Sequence, residues 1–261
     1  MLSCANIQQN MPMSIIFSPD PATVALLAPT GRLRASINLG NPILANTDPA
    51  TGRARGVSVD LAHALAERLG VPLETIEFPA ATKSVDAVTG GVADVGFFAS
   101  DPLRGAEIAF TDAYILIEGA YLVREDSPCR ANEDVDRPGT TVVVGQGSAY
   151  DLFLTRELKA ASFVRVPGAA EVVETLRSGG ADVAGGIRQV LVDVAASTPG
   201  LRVLPGRFMV IRQAMGLARN RGADAEAALR AFVEAMRASG FVDEAIRRHG
   251  VSGATVAPFA L

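Results

Sequence analysis

The chain repeats a segment of itself at a separation of 88 positions, and no gap is needed to align the two copies. Residues 79–95 read PAATKSVDAVTGGVADV and residues 167–183 read PGAAEVVETLRSGGADV. Seven of the seventeen positions are identical: Pro79/Pro167, Ala81/Ala169, Val85/Val173, Gly91/Gly179, Ala93/Ala181, Asp94/Asp182 and Val95/Val183. In each copy a short apolar run, residues 73–78 or 162–166, leads into a helical stretch, a glycine stop and a strand beginning at Ala-Asp-Val. An upstream echo extends the unit, since Ile37-Asn38-Leu39-Gly40 and Val142-Val143-Val144-Gly145 are both strand-like runs that stop at a glycine before a helical segment. A period this long, occurring only twice, argues against a solenoid and for two α/β lobes of one plan facing each other across a cleft. Clefts between lobes are where ligands bind.

Composition narrows the partners. At 261 residues, with 49% apolar and 20% charged residues, the chain can bury a sizeable core, and no run approaches the length of a membrane span. The net charge of -4 and the lack of a basic block argue against nucleic acid as a partner. Cys4 and Cys129 lie far apart, so no structural disulfide is expected. His63 and His249 are isolated from any metal-ligand spacing, and no phosphate-loop, nucleophile-elbow or zinc-protease string occurs, so neither metal nor cofactor is expected. The first thirty residues lack the charged start, apolar core and cleavage site of a secretory signal, so the chain as written is expected to stay in the cytoplasm. Met11 and Met13 offer alternative starts, and a true start upstream with a signal would place it in the periplasm.

Residues 1–30 read as a leader, mostly irregular; residues 31–114 with 213–261 form lobe 1, and residues 115–212 form lobe 2. Two apolar runs, residues 114–124 and 208–218, are long enough to cross between lobes and make a hinge. A helix over about 59–69 carries Leu61, Leu65 and Leu69 on one stripe and stops at Gly70. Pro102 suits the first turn of a short helix capped by Ser100 or Asp101. Gly145-Gln146-Gly147-Ser148 opens a helix over about 149–159, with Ser148 as N-cap, and such a helix start is a ready anion site. Asp94 and Asp182, opening a strand in each copy, suit a turn or capping role rather than a ligand site.

The order of these pieces resembles the family 3 solute-binding proteins, the amino-acid-binding group with the type 2 periplasmic binding fold. The strings that carry the resemblance are Gly56-Val57-Ser58-Val59-Asp60-Leu61-Ala62, Arg104 followed by Phe110-Thr111-Asp112-Ala113-Tyr114, the Gly91 to Asp94 pattern, Gly147-Ser148 and Met215-Gly216-Leu217. The resemblance implies an α/β protein of two lobes joined by two crossing strands. It implies a monomer that closes on a small carboxylate-bearing ligand, an amino acid or related organic acid, and delivers it to an ABC transporter permease. It also implies that Arg104 grips the carboxylate while amides near Ser148 share it from the second lobe. Guanidinium geometry and helix-terminus electrostatics agree independently.

Departures from the family pattern bear on the ligand. The acidic residue that receives an α-amino group in amino-acid binders is replaced by Ile187, followed by Arg188 and Gln189, and the stacking aromatic of the first lobe is replaced by Asn41-Pro42-Ile43. Asp101 or Glu118 would have to take the ammonium instead. Asn38, Asn41, Asp101, Glu118, Arg188 and Gln189 are the selectivity candidates. Arg188 is open between a second anion anchor and a surface ion pair, Asn38 and Asn41 between ligand contact and turn formation, and Phe98 between ligand platform and core. The resemblance extends to cyclohexadienyl dehydratases, which use such a cleft for elimination; that alternative needs an acid or base, for which Glu118 is the candidate. A cytoplasmic solute sensor is the third reading.

Overall fold

The repeat folds twice at its sequence offset. The computed structural model describes residues 17–259. The first unit runs from helix α1 (Pro21–Leu27) through β1 (Leu33–Asn38), the short pair β2 (Asn46–Thr47) and β3 (Ala54–Arg55), α2 (Val57–Leu69), β4 (Leu73–Phe78), α3 (Ala81–Thr89) and β5 (Val95–Ala99). The long strand β6 (Ile108–Arg124) leads to the second unit, β7 (Thr141–Gly145), α4 (Ala149–Glu157), β8 (Ser162–Val166), α5 (Ala169–Arg177) and β9 (Val183–Ile187). Then come α6 (Arg188–Ser197), β10 (Leu201–Val203), the return strand β11 (Met209–Ala218), helices α7 (Ala223–Ala238) and α8 (Phe241–Arg248), and β12 (Ala254–Val256). Helices α3 and α5, and strands β5 and β9, begin and end 88 positions apart.

The two units have one topology. β1 pairs in parallel with β4 and β5, and β7 pairs in parallel with β8 and β9. Parallel neighbours joined through helices are the βαβ arrangement that the alternating pattern predicts. Between the units β6 and β11 run antiparallel over nearly the full length of β11, from Met209 opposite Gly119 to Ala218 opposite Ile108, with register shifts on either side of Ala214. β5 pairs with β11 and β9 with β6, so the path β4-β1-β5-β11-β6-β9-β7-β8 is one sheet, with β10 and β12 added along β6. These are the two crossing strands expected from the apolar runs.

The repeated aspartates explain why the motif recurs. Asp94 Oδ2 accepts the Arg34 amide at 3.0 Å, and Asp182 Oδ2 accepts the Thr141 amide at 2.9 Å. Each carboxylate therefore clamps the start of the neighbouring parallel strand. Asp94 goes further, accepting from Arg34 Nε and Nη2 and from Arg221.

Burial follows the same division. One large cluster sits under α2, α7 and α8 and includes Leu61, Leu65, Phe232 and Met236, while Leu122, Val143 and Leu176 on one side and Tyr121, Val142 and Leu154 on the other form the second lobe's two cores. The reading of residues 1–30 as mostly irregular misses α1. Asp20 caps it through the Thr23 amide at 2.7 Å, Pro21 occupies its first turn, Leu27 is buried, and Phe17 packs edge-on against Phe232 at 5.6 Å. Residues 1–16, including Cys4, Met11 and Met13, lie outside the described residues; Cys129 is buried. Among the described residues no helix is long and apolar enough to cross a membrane.

Candidate functional site

Strand ends from both units converge on one small cavity of about 60 Å³. The first lobe contributes Asn38, Gly40 and Asn41 after β1, Phe97, Phe98 and Ala99 at the end of β5, and Arg104. The second contributes Ser148, Ala149 and Tyr150 at the start of α4 and Ile187 at the end of β9; Ile211 and Gln213 come from the hinge strand β11. Parallel βαβ units place ligand sites beyond the carboxyl ends of their strands, and β1, β5 and β9 all end here.

Arg104 is 9% exposed. Its Nη1 donates to the Ala99 carbonyl at 3.2 Å and its Nη2 to the Gly147 carbonyl, in the opposite lobe, at 2.8 Å. Burial lowers the guanidinium pKa from its ordinary value, and the nearby Asp101 charge opposes that shift. Asp101 is itself engaged: its Oδ2 pairs with Arg156 of α4 at 2.8 Å and its Oδ1 accepts the Leu103 amide at 2.8 Å. Among the described residues Arg104 forms no ion pair, so a buried cation faces the cavity held by neutral carbonyls alone.

The start of α4 is partly spoken for. Ser148 Oγ accepts the Asp151 amide at 3.1 Å, the N-cap role expected of it, and Asp151 Oδ2 accepts the Gly147 amide at 2.8 Å. Ser148's own amide donates to Gly145. The amides of Ala149 and Tyr150 find no acceptor among the described residues, and both residues line the cavity. Asp151 is balanced by Arg165 at 2.9 Å. Burial raises the Tyr150 phenol pKa, with the Ser148 hydroxyl opposing, so the phenol stays neutral.

The polar candidates separate into two groups. Asn38 lines the cavity but spends its Oδ1 on the Gly40 amide at 3.0 Å, the turn role. Asn41 also lines it, is 8% exposed, and its Oδ1 is buried with no partner among the described residues. Phe98 is both cavity wall and core. Glu118, Arg188 and Gln189 line a different concavity, with Leu116, Arg207 and Thr255. There Glu118 lies 3.7 Å from Arg188 and accepts from Arg207, while Arg188 also donates to the Gly206 carbonyl. These three selectivity candidates thus lie outside the cavity that Arg104 lines, and of the two roles open to Arg188 the structure shows an ion pair. Asp101 is turned away to Arg156. Ala149, Tyr150, Ile211 and Gln213 are wall residues the sequence reading missed; Gln213 was signalled only as a polar residue inside an apolar hinge run. Among the described residues no group of three or more metal-ligating side chains is assembled.

Comparison with known proteins identifies this architecture. Residues 41–252 match the profile of the bacterial extracellular solute-binding proteins, family 3. The chain belongs to this family. A curated relative, a glutamine-binding protein from Geobacillus stearothermophilus, is 23% identical over 190 residues, 71% of this chain and 72% of the relative. The solved structure of an ArgBP mutant from T. maritima superposes with a TM-score of 0.73 at 22% identity, covering 87% of this chain and 99% of the other. The ancestral amino-acid-binding protein AncCDT-1, a precursor of cyclohexadienyl dehydratase, gives 0.71 at 21% identity, covering 87% and 98%. These likenesses establish the type 2 periplasmic binding fold, and the family makes the chain a solute-binding protein.

Proposed function

We propose that this solute-binding protein closes its cleft on a small carboxylate-bearing solute, an amino acid or related organic acid, and acts without chemistry, as a monomer that hands the solute to an ABC-type permease. The observation that carries the reading is Arg104, a buried guanidinium at the cavity wall that forms no ion pair among the described residues, the nearby Asp101 being paired with Arg156. Leaving a charge buried and unpaired is costly, and an anion that reaches it recovers that cost. A carboxylate matches the planar fork, and the Ala149 and Tyr150 amides supply further donors from the opposite lobe. Contacts made to both lobes at once are what favour closure.

The placement of Glu118 supports binding over elimination. The residue on which a dehydratase-like reaction would rest is held between Arg188 and Arg207 outside the cavity, and the described residues of the cavity wall include no carboxylate or imidazole to serve as general acid or base. The test is a thermal-shift screen of α-amino acids and amine-free carboxylic acids on the chain and on Arg104→Ala. Carboxylates should raise the melting temperature of the first and not of the second; equal shifts in both would overturn the reading.

A further inference from the structure

We propose that the solute is an amine-free carboxylic acid whose apolar body occupies a chamber walled mainly by the second lobe and closed by Gly40 and Pro42 of the first, beside the carboxylate cavity. The inference rests on the reading of Arg104 as carboxylate anchor and adds the class of molecule attached to that carboxylate.

The chamber measures about 420 Å³, within the range of small-molecule sites, whereas the cavity at Arg104 holds about 60 Å³, space for a carboxylate but not for the body of its bearer. The two spaces share three walls, Gly40, Tyr150 and Ile187. Gly40, Tyr150 and Ile187 thus face both spaces, and the proposed solute runs along them from Arg104 into the larger volume. Beyond Ile187 the walls are Val172 and Val173 from α5 and Val190, Leu191 and Val194 from α6. Val172 and Leu191 also belong to the second lobe's core, so an apolar body lodged here packs on that core, with Glu174, Arg177 and Thr198 forming the polar part of the wall.

The same walls argue against an ammonium. Among the described residues Glu174 is the only carboxylate lining either space, and its side chain sits 66% exposed in an ion pair with Arg177 at 2.8 Å. Ile187 occupies the wall between the two spaces, and Asp101 is paired with Arg156. The unpartnered Asn41 Oδ1 accepts a hydrogen bond from a hydroxyl or amide, but a neutral oxygen does not balance a buried positive charge.

The experiment is calorimetric titration of the full chain with butanoate, hexanoate, octanoate and 2-aminooctanoate. Affinity should rise about fourfold per methylene along the series, the fold-change for burying one CH₂, and the amine should weaken octanoate binding at least tenfold. Ala170→Trp, at an exposed position on the chamber wall near the start of α5, and Val173→Glu on the same helix should each flatten the chain-length series; circular dichroism of both variants verifies their fold. A series that is flat in the unmodified chain, with binding still lost in Arg104→Ala, overturns the chamber and leaves the carboxylate anchor standing. Tighter binding of 2-aminooctanoate than of octanoate overturns the exclusion of the amine. Acids that bind equally well to Arg104→Ala, or to neither protein, overturn the anchor and the chamber together.

Discussion

Arg104 donates to the carbonyl oxygen of Gly147 at 2.8 Å, a bond that leaves the first lobe and ends in the turn before α4 of the second. The residue that grips the ligand in the proposed function is thus also a latch between the lobes. Among the described residues each terminal nitrogen makes one bond, which leaves further N–H groups to meet a carboxylate.

Arg104→Ala should therefore weaken carboxylate binding by about tenfold or more, given that a charge-assisted hydrogen bond contributes about 1.5–3 kcal/mol. Arg104→Lys should recover only part of it, since an ammonium lacks the planar fork that reaches two carbonyls and a carboxylate at once. Titration calorimetry reads both; a lysine variant as tight as the original would show that charge alone suffices.

Gly147 is a second point where closure depends on one atom. Its φ is +67°, in the left-handed region, and a Cβ there would overlap Thr82 Cγ2 from the opposite lobe. Gly147→Ala should cost about 1–2 kcal/mol of stability from backbone strain. It should also hold the lobes apart, so that small-angle scattering shows no compaction on adding ligand. Adding Thr82→Ser removes the overlapping methyl but not the strain, and should restore compaction while the stability loss persists. Compaction in Gly147→Ala alone would show that closure does not need this contact.

The ion pair of Asp101 with Arg156 joins the same two lobes at 2.8 Å, with Asp101 nearly buried and Arg156 41% exposed. Half-exposed pairs contribute modestly, roughly 0.2–1 kcal/mol. Arg156→Met should consequently raise the ligand off-rate by a few-fold, with little change in on-rate, in stopped-flow or surface-binding measurements. A change confined to the on-rate would assign the pair to encounter rather than to holding the closed form.

The repeat was legible in the sequence partly because two of its identical pairs answer to backbone geometry. Gly91 and Gly179 adopt φ of +73° and +81°, and Asp94 and Asp182 clamp neighbouring strands. Arg104 and Ser148, singled out from family strings, both line the cavity. Glu118 was misread because strand parity needs register: it lies opposite Val210, whereas the cavity is lined by Ile211 and Gln213, which face the other way. Asp101 was misread because its partner is 55 positions away on another lobe, a pairing no local spacing announces. Helix α1 was missed although Asp20-Pro21 is a start signal, because seven residues show too little periodicity to weigh against a polar leader.

The two aspartate clamps carry the last prediction, because the same motif is embedded in unequal surroundings. Asp94 has no exposed side-chain surface and serves Arg34 at 2.7 Å, Arg221 at 3.2 Å and the Arg34 amide, so Asp94→Ala leaves two half-buried guanidinium groups and a strand amide without their acceptor. Removing one partner of a buried pair costs about 3–5 kcal/mol. Asp182 is 49% exposed and reaches Arg124 only at 3.6 Å, so Asp182→Ala loses mainly the Thr141 amide bond, about 1 kcal/mol. Urea unfolding should show a much larger fall in midpoint for Asp94→Ala than for Asp182→Ala, with the Asp94→Asn variant between them because it keeps an acceptor and loses the charge. Equal falls for the two alanine variants would mean that the strand clamp, common to both copies, outweighs the arginine pairs that only the first copy has.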